Sequence, residues 1–243
     1  MGSDGGVWDV GDVISASRMN RKTQQTDTGA NINSATTYPG KAAFCTSTGS
    51  GFTAGYLYRR NNGDTAWYVD SVVGLQDIWI PSTAMWARST NGPGGLTRTE
   101  TSTNKVNYQT FDFDTTTQEH AQFGWQPPRN WNNSTVKFTP YWTYASSSGG
   151  VVWALQGYAF SNDDALDTAF GTEQTSTDTA ITAADVHVGP QSSAITINGT
   201  PADSDYIHFQ VKRNPSDSSD TLGSDALLLG ITLEITLDAG VAG

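Results

Sequence analysis

Leu227-Leu228-Leu229-Gly230-Ile231-Thr232-Leu233-Glu234-Ile235-Thr236-Leu237 is the segment whose pattern decides the fold class. Leu227, Leu229, Ile231, Leu233, Ile235 and Leu237 recur at every second position. Gly230, Thr232, Glu234 and Thr236 stand between them, with Leu228 the exception. Side chains alternate between the two faces of a strand, so this spacing makes one apolar face and one polar face. A one-residue slip would turn the apolar set to water, which specifies the register. A chain that reaches its cleanest strand so late completes a sheet begun much earlier. The expectation is a β-sandwich or barrel rather than alternating strands and helices.

The 243 residues suffice for one large β domain or two smaller ones. Charged residues make up only 15%, Gly, Ser, Thr, Asn and Asp are abundant, and eight Trp, nine Tyr and nine Phe supply the bulky groups. That composition suits an all-β, turn-rich chain. The net charge of -11 opposes nucleic-acid binding, since no basic patch follows residue 25. The acid is mostly Asp, which serves turns and solubility. Cys45 is alone, so no internal disulfide forms. The first residues lack the apolar stretch of a signal peptide, and no run approaches the ~20 apolar residues of a membrane span. Neither secretion nor membrane insertion is expected.

Two modules emerge along the chain. Residues 1–74 form a small N-terminal module. It has a short helix from Ser15 to about Gln25 bearing Arg18, Arg21 and Lys22, and a β-hairpin over 56–69 around Asn61-Asn62-Gly63-Asp64. The three cations are either a solvated helix face or an attachment surface for an acidic partner. Residues 75–243 give eight or nine strands and one short helix, and an eight-stranded jelly roll fits that spacing best. Val106 and Tyr108 share one parity and Phe111 and Phe113 the other, which calls for a bulge near Gln109 or Thr110. Pro140 confines its strand to an edge or a bulge. The nearly continuous apolar run Val151–Phe160 reads as a strand covered on both faces. Asn162 or Ser161 caps a two-turn helix ending at Gly171. Thr172–Thr182 reads as polar loop, and Val186–Val188, Ile195–Ile197 and Tyr206–Val211 as strands.

Catalytic chemistry is scarce. His120, His187 and His208 are far apart, and no metalloprotease, zinc or serine-hydrolase motif is present. Asp112 and Asp114, two apart on one strand face, or Asp203 and Asp205, could act as a glycosidase carboxylate pair, although an Asp-rich chain produces such pairs by chance. Either pair, or Asp163, Asp164 and Asp167, offers the oxygen ligands calcium takes, while capping explains the last group more simply. No cofactor is otherwise implied. Among the aromatics, Trp125 and Trp142 are the candidates for stacking on a sugar ring, the alternative being burial in the core.

Several phrases carry a resemblance: Ile80-Pro81-Ser82-Thr83-Ala84-Met85, Thr90-Asn91-Gly92, Phe111-Asp112-Phe113-Asp114, Glu119-His120-Ala121-Gln122-Phe123, Trp131-Asn132, Val152-Trp153-Ala154-Leu155-Gln156-Gly157 and Asp225-Ala226-Leu227-Leu228-Leu229-Gly230. With them, Ile78 to Ala239 resembles a domain of virion proteins in tailed phages, marine ones especially. Gly11-Asp12-Val13-Ile14-Ser15-Ala16-Ser17-Arg18-Met19-Asn20 is similar to a phrase near the start of many phage tail-fibre proteins. The resemblance implies a non-enzymatic tail- or head-fibre, spike or decoration protein, assembled in the host cytoplasm and resident in the virion. It further implies a homotrimer that contacts other capsid or tail proteins and exposes its β-sandwich, with host surface glycan as a candidate partner. A carbohydrate-binding module is the alternative, and a glycan depolymerase ranks last because the long repeats of a β-helix are missing.

Overall fold

The computed structural model describes residues 24–28, 42–47, 57–60, 67–69, 74–202 and 204–238. The chain divides into two compact units, Met1–Val73 with Asp238–Gly243, and Gly74–Leu237. In the first, β1 (Gln24–Thr28), β2 (Ala42–Ser47), β3 (Leu57–Arg60) and β4 (Trp67–Val69) form one sheet in that order. β1 and β2 run parallel, and the other pairs antiparallel. Arg60 lies opposite Trp67 in the β3–β4 hairpin. The helix expected from Ser15 lies outside the described residues except for Gln24 and Gln25, which open β1 instead. Arg18, Arg21 and Lys22 lie outside them as well.

The second unit is all-β, a jelly-roll-like sandwich of two sheets. Its strands are β5 (Gly74–Pro81), β6 (Trp86–Ala87), β7 (Thr97–Glu100), β8 (Asn107–Phe113), β9 (His120–Trp125), β10 (Lys137–Thr143), β11 (Gly150–Phe160), β12 (Gln174–Thr179), β13 (His187–Val188), β14 (Tyr206–Arg213) and β15 (Ala226–Leu237). One sheet has the order β13-β10-β15-β8-β7, with β5 also on β15; the other has the order β12-β11-β14-β9-β6. The inner faces meet in one apolar core, where Phe113 of β8 and Trp153 of β11 touch edge to face at 5.1 Å. β11 fits its apolar run: Val151 to Leu155 are all buried, and β12 and β14 pair with it on either side.

β15 is the central strand of its sheet, but its alternation is not unbroken. Ile231, Leu233, Ile235 and Leu237 face the core as expected, whereas on the other side of Gly230 it is Ala226 and Leu228 that are buried and Leu227 and Leu229 that turn outward. The cause is a bulge: Tyr141 of β10 pairs with Gly230, but Trp142 pairs with Leu228, so Leu229 is left over. β15 also changes partner here, from β8 over Ala226–Leu228 to β5 over Gly230–Leu237. Leu228, the apparent exception in the pattern, is a core residue because of this break.

Other expectations need correction. No bulge interrupts β8: it pairs with β7 up to Thr110 and with β15 from Phe111. The change of parity there reflects a β7–β8 hairpin that extends beyond the core. The helix at 162–171 does not form. The Asp164 carboxylate does accept the Ser161 N–H at 2.9 Å, as one half of a capping box would. Asp163, however, has φ +72°, a left-handed conformation that ends the turn before a helix can propagate. The supposed loop 172–182 contains β12, an edge strand without an apolar stripe, of which only Ser176 is buried. Ile195 makes one bridge to Val136 rather than a strand. Pro140 sits as its missing donor requires, since the side of β10 away from β15 meets Gly189, whose N–H donates to the Pro140 carbonyl at 2.9 Å.

A buried ion pair ties the β14–β15 connection to both sheets. Arg213 and Asp220 have side chains 0% and 1% exposed, and Arg213 Nη2 donates to Asp220 Oδ1 at 2.8 Å. Nε also donates to the Asp220 carboxylate, Nη1 reaches the carbonyls of Phe113 and Ser224, Nη2 that of Leu222, and Asp220 Oδ2 also accepts the Val152 N–H. Removing one buried partner strands the other charge away from water. Arg213→Met will therefore lower the unfolding free energy in urea by roughly 3–5 kcal/mol, and adding Asp220→Leu will cost less than the sum of the two single changes.

Candidate functional site

The bulge that places Leu229 on the outer face of the six-stranded sheet also shapes a cleft of the second unit. β5 alternates with Ile78 and Ile80 packed against the core, so Trp79 projects outward and remains 48% exposed. Tyr141 projects the same way from β10, between inward Pro140 and Trp142. The two rings meet edge to face, centroids 5.0 Å apart at 86°. Gly230 makes room for them: a β-carbon there would lie 2.7 Å from the Trp79 ring and 2.6 Å from the Ile80 carbonyl oxygen.

The projecting β7–β8 hairpin forms the opposite wall. Between hairpin and sheet lies a cleft of about 570 Å³, lined by Trp79, Pro81, Tyr141 and Leu229 on one side and by Arg98, Asn107, Tyr108 and Gln109 on the other, with Thr83. Arg98 Nε donates to Asn107 Oδ1 at 3.2 Å, and no carboxylate among the described residues pairs with this guanidinium. The lining contains amides, hydroxyls, one cation and two packed rings, and no carboxylate, histidine or cysteine. It can stack on a flat ligand and exchange hydrogen bonds with hydroxyls.

The residues nominated from sequence lie elsewhere. Trp125 and Trp142 are 8% and 0% exposed. Trp125 packs on Trp131 with centroids 5.3 Å apart, and Trp142 Nε1 donates to Asp178 Oδ2 at 2.9 Å beneath His187. Both are core groups, so neither can stack on a sugar. Their own strands carry the reason, because Trp125 shares parity with buried Phe123, and Trp142 with buried Phe138. The same alternation marks Trp79 and Tyr141 as outward aromatics, which is the signal that finds this site.

The acids have structural partners. Asp112 accepts the hydroxyls of Thr97 and Thr110 at 2.8 and 2.7 Å. Asp114 caps the following turn: the Thr117 N–H, then the Thr116 hydroxyl and N–H, hold its carboxyl down at about 2. A carboxyl so strongly ionised is a poor proton donor. Asp205 is buried and accepts from the Ser161 hydroxyl and the Ala202 N–H, whereas Asp203 lies outside the described residues. Among the described residues no group of three His, Cys, Asp or Glu side chains is arranged to hold a metal ion.

No protein-family model and no curated protein matches the chain. Similar solved structures include the CBM22-2 xylan-binding domain of Paenibacillus barcinonensis Xyn10C (TM-score 0.40, 11% identity, 65% of this chain and 99% of that one). A family 11 carbohydrate-binding module from Clostridium thermocellum scores 0.38 at 12% identity, over 70% and 100% of the two chains. A CBM28 module specific for non-crystalline cellulose scores 0.37 at 14% identity, over 64% and 87%. Likenesses this distant carry no argument about ligand or role, which rest on the cleft itself.

Two of the three histidines, His120 and His187, are buried. His187 is buried against Trp142 and Tyr144, with Nε2 3.1 Å from the Thr182 carbonyl. His120 is 8% exposed, and its Nδ1 has no hydrogen-bond partner. Burial, reinforced by the Arg88 and Lys212 charges and opposed by Glu173, holds its pKa down at about 4. An imidazole that protonates near 6.5 when unfolded but only near 4 when folded favours the unfolded chain in acid. Stability therefore falls as pH drops from about 6.5 to about 4 and loses no more to this group below that. In urea titrations, His120→Gln will flatten the decline over that interval by on the order of 2–3 kcal/mol. Equal declines in the two proteins would remove His120 as its source.

Proposed function

We propose that the Gly74–Leu237 sandwich is a non-catalytic glycan-binding domain that holds a saccharide chain in the cleft beneath the β7–β8 hairpin. The observation that carries this reading is the exposed edge-to-face pair of Trp79 and Tyr141 in the wall of a cleft lined by amides, hydroxyls and a guanidinium. A sugar ring offers apolar C–H faces to an aromatic wall and equatorial hydroxyls to polar groups at its edge. Asn107, Gln109 and Thr83 supply donors and acceptors, and Arg98 adds charged donors without a competing acid among the described residues. Affinity electrophoresis through gels containing hydroxyethylcellulose, xylan, galactomannan or alginate tests it. At least one polysaccharide will retard the protein, and Trp79→Ala and Tyr141→Ala will each weaken that retention roughly tenfold or more. Migration unaffected by every polysaccharide overturns the proposal.

A second reading, compatible with the first, concerns where the domain is carried. The sequence resemblance supports a tailed-phage fibre, spike or decoration protein, with residues 1–74 as the attachment module and host glycan as the ligand. Ile181, Val186 and Val188, exposed around the β13 edge of the six-stranded sheet, favour assembly with further chains. Light scattering after size exclusion will give the mass of three 26.0 kDa chains if the protein assembles as a fibre or spike subunit does. A monomer at all concentrations argues against that assembly.

A further inference from the structure

We propose a second saccharide-binding face, on the outer surface of the five-stranded sheet and therefore on the opposite side of the sandwich from the cleft. It rests on the reading of the protein as a glycan binder, but on none of the same residues.

The chain reaches both outer faces within one short stretch. β5 ends at Pro81 in one sheet, the turn Ser82–Ala84 crosses over, Met85 enters the core, and β6 joins the other sheet. Trp79 thus emerges on one outer face and Trp86 on the other. Trp86 is 44% exposed although it sits in a paired strand. In register across the sheet, Trp86 pairs with Gln122, Gln122 with Gln210, and Gln210 with Gln156. With strands roughly 4.8 Å apart, this row of one indole and three amides runs roughly 14 Å.

Trp86, Gln122 and Gln210 are held by their neighbours. Gln122 Nε2 donates to Gln210 Oε1 at 3.0 Å, and Arg88 Nη1 approaches the same oxygen at 3.5 Å. His208 lies one step along β14, with Nε2 3.4 Å from Gln122 Oε1 and Nδ1 3.0 Å from the Tyr206 hydroxyl. Its ring packs between Trp86, at 5.6 Å, and Phe170, at 6.0 Å. Gly124 leaves room for Tyr206: a β-carbon there would lie 2.3 Å from the phenol oxygen. An exposed indole and phenol therefore flank half-buried Gln122 and His208, with Gln210, 4% exposed, as the buried acceptor that fixes Gln122.

Half-buried amides and an imidazole are an unusual choice for the outer face of a sheet in a chain of charge -11, where acids would be the common choice. The Glu173 carboxylate, whose charge acts on His120 of β9, is tied to Lys212 at 2.6 Å. Amides and imidazole both donate and accept, as a hydroxyl does, and they carry no charge to select an ion. The chemical class that fits is a neutral pyranose chain, stacked on Trp86 with its hydroxyls along Gln122 and His208. Two such faces on opposite sides would let one domain bridge two polysaccharide strands.

The test uses the full chain and the same four polysaccharide gels, with Trp79→Ala, Trp86→Ala, Gln122→Ala and the double Trp79→Ala/Trp86→Ala variant, each checked by thermal melting. A second face predicts that Trp79→Ala still migrates slowly in a gel of neutral polysaccharide, that adding Trp86→Ala abolishes this residual retention, and that Gln122→Ala weakens it at least threefold without lowering Tm. Loss on Trp86→Ala with none on Trp79→Ala would keep this face and remove the cleft as a site. Complete loss on Trp79→Ala alone, or unchanged retention when Trp86→Ala is added to it, overturns the second face and leaves the cleft reading standing. Retention by alginate alone overturns the neutral class.

Discussion

The second unit depends on the break in β15 at Leu229 and Gly230. Over Gly230–Leu237 the strand is flanked by β5 and β10, and over Ala226–Leu228 by β8 and β10. A single uninterrupted alternation would have put Leu227 and Leu229 in the core and Leu228 in water. The extra residue lets both halves bury their apolar side chains against the same opposing sheet. It also turns Leu229 outward and places a residue without a side chain beneath Trp79. The same feature thus completes the core and shapes the wall of the cleft.

The polar chemistry of the chain is mostly spent on holding loops. Asp114, Asp164, Asp205 and Asp217 accept backbone N–H groups in turns, and Asp220 anchors a fully buried guanidinium. This explains how a protein with so many acids presents a cleft lining without any. The aspartates are drawn to turns because their short carboxylates satisfy backbone donors that no strand would pair. The ligand-facing surfaces are left to amides, hydroxyls and rings. The quoted phrases that resemble phage virion proteins fall largely on the same framework. Phe111–Phe113 pairs directly with Ala226–Leu228, and Val152–Gly157 is the buried centre of β11. They carry the fold, and of the cleft lining they contain Pro81, Thr83 and Leu229 but neither Trp79 nor Tyr141.

Legibility varied with the range of the interaction. The β class and the buried strand at Val151–Phe160 follow from alternation and continuous apolarity, which are local. β12 was invisible because Gln174–Thr179 has no apolar stripe; it is a strand only because β11 offers it an edge. The helix at 162–171 had the right caps and acids, but one left-handed residue ended it. The site was half legible. Alternation within Ile78-Trp79-Ile80 and Pro140-Tyr141-Trp142 points Trp79 and Tyr141 outward, and the same alternation turns Trp125 and Trp142 inward with Phe123 and Phe138.

By itself the sequence determined the all-β class, the acid surplus, and which face of each regular strand turns inward, because these follow from composition and a period of two. Only the tertiary structure decided where the period breaks, which strands meet across Gly230, and that outward rings from β5 and β10 stand 5.0 Å apart opposite a hairpin. Those are contacts between segments 62 to 151 residues apart, such as Trp79 with Tyr141 and Trp79 with Gly230. No local pattern encodes a partner at that separation; it is chosen by how two half-apolar sheets bury each other.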